Sequence, residues 1–220
     1  MEAVNQRVIA ATPPPRRRRQ PAATHRAILD AATAEFAAKG LEGARTDEIA
    51  ARAGVNKRML YHYFGNKDAL WLAVLEATYD AIRAEERQLD VEHLPPVEGM
   101  RRLVEFSINY DRDHPEFLAL LNNENLHKAA HLRRSKRVRD LHSSLLRVIA
   151  GLLDRGVAEG VFRDGVDPAE LYMTIAGLGF FYFSNTHTLS TIFDRDFATP
   201  RARRRHLEHA VEVVLGYLRP

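Results

Sequence analysis

Between Lys57 and Tyr63 the chain crowds together Lys57, Arg58, Met59, Tyr61, His62 and Tyr63. Arg and Lys can donate to guanine O6 and N7 in the major groove of a duplex, and an apolar group such as Met can touch a thymine methyl. Leu60 is the apolar anchor of the run, so a short helix buried through it leaves the other six side chains free to project. A helix of that size fits the major groove. A second group of residues has the mixed character of a small-molecule pocket, polar atoms set among apolar ones. Asn122 and Asn125 share a helix face with Leu118 and Leu121, and Phe180 and Phe183 cluster with Asn185 and His187 on another helix. Solvated polar faces remain the alternative reading of these positions. His127 and His131, four apart, and His206 and His209, three apart, have metal-compatible spacings. Neither pair carries the Glu of a zinc-protease motif, and Arg133, Arg134, Lys136 and Arg137 would repel a cation. No metal and no cofactor are expected. The chain shows no nucleophile elbow, phosphate-cradling Gly loop or carboxylate–histidine constellation, so an enzyme is not expected either.

The elements that must position these residues read as helices throughout. Thr24 is a plausible N-cap for a first helix with Ala27, Ile28, Ala31, Ala32 and Phe36 at helical spacing, closed by Lys39-Gly40. Thr46 can cap a second, with Asp47 and Glu48 in its first turn. Gly54 stands where a tight turn needs positive φ, Val55 plugs the gap between the helices, and Asn56 caps a third helix ending near Tyr63. After Gly65-Asn66 a long helix runs from about Lys67 to Leu89, on a stripe of Leu70, Val74, Leu75 and Ile82. Leu94-Pro95-Pro96 ends that segment. Further helices are expected at about 97–112, 115–130, 135–159, 168–187 and 200–218, nine in all, with no strand alternation and no internal repeat. The fold class is all-α. The expected organisation is a basic arm over 1–23, a helix-turn-helix domain over 24–67 continuing into a linking helix 67–89, and a helical domain over 90–220.

Charge divides the chain in the same way. Up to Lys67 there are 12 Arg and Lys against 6 Asp and Glu, and beyond it 20 against 23. A basic segment joined to a slightly acidic one is the footprint of a polyanion-binding module attached to a domain with another task. Pro13-Pro14-Pro15 followed by Arg16 to Arg19 suggests an extended, self-repelling arm, within reach of DNA flanking the first helix. There is no cysteine, and the apolar fraction of 45% supports a real core. No apolar run approaches the ~20 residues of a membrane span, so a cytoplasmic protein with no membrane partner is expected.

The block Thr46…Ile49-Ala50…Ala53-Gly54-Val55…Leu60-Tyr61…Tyr63-Phe64…Asn66-Lys67…Leu70 resembles the DNA-binding signature of TetR-type transcriptional repressors. The resemblance extends upstream through Ala31, Phe36 and Gly40, covering about residues 24–75. Beyond that, the likeness lies only in helix number and length. It implies phosphate contacts from Thr46, Tyr63 and Lys67 and a groove-facing set of Lys57, Arg58, Met59, Tyr61 and His62. Many members of that family carry a small residue where Arg58 stands, so more guanine-directed readout is expected here. The resemblance further implies a homodimer on double-stranded operator DNA, released by a small-molecule effector bound at positions such as Leu118, Leu121, Asn122, Asn125, Phe180 and Phe183. The last helix carries the stripe Leu207, Ala210, Val211, Val214, Leu215 and Leu218, and the one before it Leu171, Ile175, Leu178, Phe181 and Tyr182 with Gly177 and Gly179. Either stripe could be the monomer's own core, but two half-sites about 34 Å apart need a two-fold partner, so the four-helix dimer interface that the resemblance implies is expected. The alternative function is an architectural DNA binder with no ligand, which a long, net-acidic second domain disfavours.

Overall fold

The structure, a computed structural model, describes residues 21–220. The Arg16–Arg19 run, and with it most of the expected basic arm, lies outside the described residues. Within them the chain forms ten α-helices and two short 3-10 turns, with no strand. The first helix, α1, spans Pro21–Gly43. Thr24 is buried inside the helix and does not cap it. At Gly40 the backbone turns to φ 67°, ψ 177°, so the regular helix breaks where Lys39-Gly40 predicts. A Cβ at Gly40 would sit 2.5 Å from Asn123 Nδ2, so that position is glycine for both torsion and space.

Helices α2 (Thr46–Ala53), α3 (Lys57–Phe64) and α4 (Lys67–Arg87) follow. Asn56 and Asn66 cap α3 and α4, their side-chain oxygens accepting from the amides of Met59 and Ala69. Thr46 makes no cap; the residue before α2 is Arg45. Ile28, Ala32 and Phe36 of α1, Ile49 of α2, Leu60 of α3 and Trp71 of α4 are almost completely buried in one core, which also takes in Leu120 from beyond the linking helix.

The remaining helices are α5 (Pro96–Asp113), α6 (Pro115–Leu126), α7 (Lys136–Ala158), α8 (Pro168–Ser184), α9 (Thr186–Ile192) and α10 (Pro200–Leu218). Four of them open on proline. Met100, Leu103, Val104, Ile108, Ile149, Leu152, Leu171, Ile175, Ala210, Val211, Val214 and Leu218 form a second core joining α5, α7, α8 and α10. This corrects the expectation that the stripe of the last helix is a dimer interface. Val214 is 0% exposed inside its own chain, so the stripe of α10 belongs to the monomer's core. The outer face of α8 is different: Met173 and Phe181 are 55% and 60% exposed.

Two expected helices end early. The helix over 115–130 stops at Leu126, and Lys128 and Ala129 both adopt φ 55°. Left-handed backbone costs a non-glycine residue about 1–2 kcal/mol. The return on that cost is the reversal that brings the amides of His131 and Leu132 onto the Glu124 carboxylate. The helix over 168–187 breaks at Asn185, where Asn185 Nδ2 donates to the Phe181 carbonyl and Thr186 Oγ1 to the Tyr182 carbonyl. Side chains that bond back to the preceding turn compete with helix continuation. A tenth helix, α9, starts there.

Candidate functional site

The turn between α2 and α3 is built as its residues require. Gly54 takes φ 67°, ψ 34°, and the amides of Gly54 and Val55 donate to Ala51 and Ala50. Leu60 and Phe64 point into the core, which fixes α3 about its own axis. Lys57, Arg58, Tyr61 and His62 are consequently exposed, with Met59 and Tyr63 half-buried beside them. Lys57 Nζ lies 2.8 Å from Asp47 Oδ1 on α2, an ion pair that raises the lysine's pKa and lowers the aspartate's. The hydroxyls of Thr46 and Tyr61 are 3.4 Å apart. Lys67, at the start of α4, donates to the Glu42 carbonyl at 3.1 Å. Arg58 has no ion pair among the described residues. Tyr63 stands edge-on to the rings of His25 and His62. All eight residues expected to meet DNA thus lie on α2, on α3 or at the start of α4.

Glu35 braces this unit from inside. Its carboxylate, 2% exposed, meets Lys39 Nζ at 2.7 Å, the Arg45 amide at 3.3 Å and Arg52 Nη2 at 3.8 Å. The lysine contact chiefly holds its pKa below the usual carboxylate range. A second buried carboxylate, Glu124, ties α6 to α4. It accepts from Trp71 Nε1, from the amides of His131 and Leu132, and from His131 Nδ1, all within 3.0 Å. Burial works to raise its pKa, but these hydrogen bonds outweigh burial and the net shift is downward. Beside it, Asn123 Oδ1 accepts the Leu41 amide at 3.0 Å, just past the break in α1.

The six residues expected to hold a small molecule lie on α6 and α8, which pack against each other. Leu118 is buried and Leu121 half-buried, whereas Asn122 and Asn125 are exposed on α6. Asn122 Nδ2 lies 3.5 Å from Ser184 Oγ on α8, and Phe180 and Phe183 are half-buried farther up that helix. None of the six borders the cavity of about 90 Å³ between α4 and α7, lined by Arg83, Glu86, Val91, Leu141, Leu145 and Val148 among others. Arg83 is 5% exposed; its Nη1 meets Glu86 at 2.5 Å and its Nε has no hydrogen-bond partner among the described residues. Around it stand Tyr79 on α4, Tyr110 and Asp111 on α5, His142 on α7 and Tyr172 on α8. Burial pushes Tyr79 up to about 12 and Asp111 up to about 7, and lowers His142. Sequence reading passed over this group because Arg83 sits one turn after Tyr79 on a stripe read as plain core. A charged residue on that stripe was the available signal.

The histidine pairs have other work. His131 Nδ1 is engaged by Glu124, and His206 Nε2 lies 2.9 Å from the Leu178 carbonyl.

Two family models match this chain. Residues 28–74 match the family model described as bacterial regulatory proteins, tetR family, and residues 96–214 match a tetracyclin repressor-like C-terminal domain. The HTH-type transcriptional repressor NicS of Pseudomonas putida is 37% identical over 192 residues, covering 87% of this chain and 91% of that protein. The HTH-type transcriptional repressor SCO4008 of Streptomyces coelicolor is 33% identical, covering 72% and 77%. Among solved structures, the ketosteroid transcriptional regulator KstR2 of Mycobacterium tuberculosis superposes with a TM-score of 0.63 at 22% identity, over 89% of this chain and 95% of that one. AibR, solved in complex with isovaleryl coenzyme A and operator DNA, superposes with a TM-score of 0.65 at 20% identity, over 86% and 97%.

Proposed function

Because this chain belongs to the TetR family of transcriptional regulators, we propose that it is a dimeric repressor that holds a palindromic operator until a small molecule enters its larger domain. The observation that carries the DNA-binding half is the rotational setting of α3. Leu60 at 0% and Phe64 at 9% exposure lock the helix, and Lys57, Arg58, Tyr61 and His62 face outward together. In the groove, Lys57, Arg58, Met59, Tyr61 and His62 meet base edges, while Thr46, Tyr63 and Lys67 meet phosphates. Lys67 also sits at the N-terminus of α4, where the helix dipole favours an anion.

Two half-sites about 34 Å apart require a two-fold partner. The partner surface is the outer face of α8 and α10: Met173, Gly177 and Phe181 with Val213 and Tyr217, all exposed in the single chain. Large apolar side chains left uncovered on neighbouring helices mark an interaction site. The effector half rests on the cavity beside the buried Arg83, whose Nε has no hydrogen-bond partner among the described residues. None of the described helices is long and apolar enough to cross a membrane, and a repressor of this kind works beside DNA in the cytoplasm.

Fluorescence anisotropy on labelled operator variants tests the assignment. Arg58→Ala costs ~1–3 kcal/mol at one base pair and relaxes preference there. Lys67→Ala weakens all sequences alike and flattens the salt slope by about one. A uniform loss from Arg58→Ala would remove it from the base readers.

A further inference from the structure

Between Glu124 and Asp140 the chain carries Lys128, Arg133, Arg134, Lys136, Arg137 and Arg139, and no Asp or Glu. Without those six, the 20 Arg and Lys beyond Lys67 fall to 14, against 23 Asp and Glu. The positive charge of an otherwise acidic domain is thus concentrated on the connection from α6 to α7. A second basic stretch, at the start of α10, has Asp194, Asp196 and Glu208 standing among its arginines. All six cations of the connection are exposed, and only Arg137 meets a carboxylate among the described residues, Asp80 on α4 at 2.6 Å. Like charges held this close repel one another, and a polyanion relieves that repulsion.

The connection is fixed at the end of the molecule that faces DNA. Lys67 Nζ donates to the Glu42 carbonyl, and the neighbouring Leu41 amide donates to Asn123 Oδ1. The end of α6 therefore sits on the same turn of α1 as the lysine assigned to phosphate. One turn farther along α4, about 5.4 Å, Trp71 Nε1 donates to Glu124, which also takes the amides of His131 and Leu132. Ser135 Oγ then donates to Glu76 and Arg137 pairs with Asp80, so the connection climbs α4 turn by turn from its DNA end. Arg133 and Arg134 follow Leu132 directly. Lys128 stands in the reversal before His131, at φ 55°, a strained setting that the Glu124 bonds hold in place. These three are the cations of the run nearest the Lys67 end of α4. Glu76 and Asp80 are engaged by Ser135 and Arg137, which leaves Glu42 and Asp68 as the exposed acids of this region.

We propose that the connection between α6 and α7 is a second phosphate-binding surface, on which Lys128, Arg133 and Arg134 take the duplex backbone next to the stretch held by Thr46, Tyr63 and Lys67. This rests on the reading of α3 as the helix that enters an operator's groove. Each strand carries a phosphate about every 3.4 Å of rise, so a backbone docked at Lys67 continues past a surface one to two helical turns away. The planar fork of Arg and the point charge of Lys both suit phosphate oxygens. Such contacts add affinity and fix register without reading a base. The larger domain is then itself a DNA-binding part of the protein.

Anisotropy of a labelled duplex carrying the operator selected from random DNA, titrated across salt concentrations, compares wild type with the triple variant Lys128→Gln, Arg133→Gln, Arg134→Gln. Each phosphate contact contributes ~0.9 to the salt slope, so the slope is expected to flatten by about three per half-site and affinity at low salt to fall roughly tenfold or more, with the preferred sequence unchanged. The matched variant Arg102→Gln, Arg147→Gln, Arg219→Gln removes three exposed arginines elsewhere in the larger domain and is expected to keep the wild-type slope. Phosphate-ethylation interference is expected to reveal at least one phosphate per half-site that hinders wild type and not the triple variant. Circular dichroism melts confirm that the variants fold, and Arg134→Gln alone, with a loss of about one in slope, guards against a triple variant that does not. An unchanged slope, equal flattening in the matched variant, or identical interference maps overturns the proposal. Wild type that selects an inverted repeat, with a triple variant indistinguishable from it, would sink this surface alone. Wild type with no preferred sequence, but a slope that the triple variant flattens, would sink the operator reading and leave the surface standing.

Discussion

Glu124→Gln should be among the most damaging near-isosteric changes in this protein. Each carboxylate oxygen of Glu124 accepts two hydrogen bonds: Oε1 from the amides of His131 and Leu132, Oε2 from Trp71 Nε1 and His131 Nδ1. Glutamine keeps one acceptor oxygen and puts an NH₂ where the other stood. Two donors then face a donor in a site where the residue is 1% exposed. Hydrogen bonds to a charged group are worth ~1.5–3 kcal/mol each, so losing two costs about 3–6 kcal/mol. For a chain of this size that is roughly a 6–24 °C fall in melting temperature. Trp71 is the single tryptophan of the sequence, so its fluorescence reports this very contact during urea unfolding. The shift of Glu124 is downward, so its stabilisation is present above the unfolded carboxylate pKa and is lost as pH falls through the still lower folded value. The gap between wild type and mutant should therefore be full at pH 7 and close toward pH 3. A gap below about 1 kcal/mol at pH 7, or one that widens in acid, would refute the account of α6 as pinned to α4 through this carboxylate.

Further outcomes follow from the same structure. Asp47→Asn frees Lys57 from its ion pair, so binding should strengthen on every sequence, by up to about tenfold at low salt, with a salt slope steeper by about one; titration across salt concentrations checks this. Val214→Glu buries an unpaired carboxylate in the monomer's core and should destabilise the fold by about 3–5 kcal/mol, whereas Phe181→Glu should leave a folded monomer; sedimentation and thermal melts separate the two. Burial raises Asp111 to about 7, so its contribution is present below the unfolded carboxylate pKa and is lost as pH rises through neutrality. Asp111→Asn should therefore stabilise the protein at pH 8 and change it little at pH 4, as melts at the two pH values would show.

The DNA-binding unit was legible because its constraints are local. Gly54 must supply positive φ, Asn56 must cap, and Leu60 must bury, and three short-range requirements in register leave little freedom. The Lys57–Asp47 pair was less visible, since it joins residues ten apart through the turn. The helix ends at Leu126 and Ser184 were misjudged because side-chain hydrogen bonds, which periodicity does not register, set them. Glu124 draws the chain back on itself, and Asn185 and Thr186 bond to the preceding turn. The stripe of α10 was read as a dimer interface because periodicity cannot tell a chain's own core from a partner's surface. The interior site escaped for a similar reason. Its members, Tyr79, Arg83, Tyr110, Asp111, His142 and Tyr172, come from four helices, and only the packing of α4 against α5, α7 and α8 brings them together.

Selection from a pool of random DNA duplexes by the purified protein, followed by sequencing, tests the central claim most directly. The account predicts an enriched inverted repeat whose half-sites are centred about one helical turn apart, or a whole multiple of that, with preference lost at one position in each half-site for Arg58→Ala. Recovery of sequences without two-fold symmetry, or the same motif from wild type and Arg58→Ala, would contradict it.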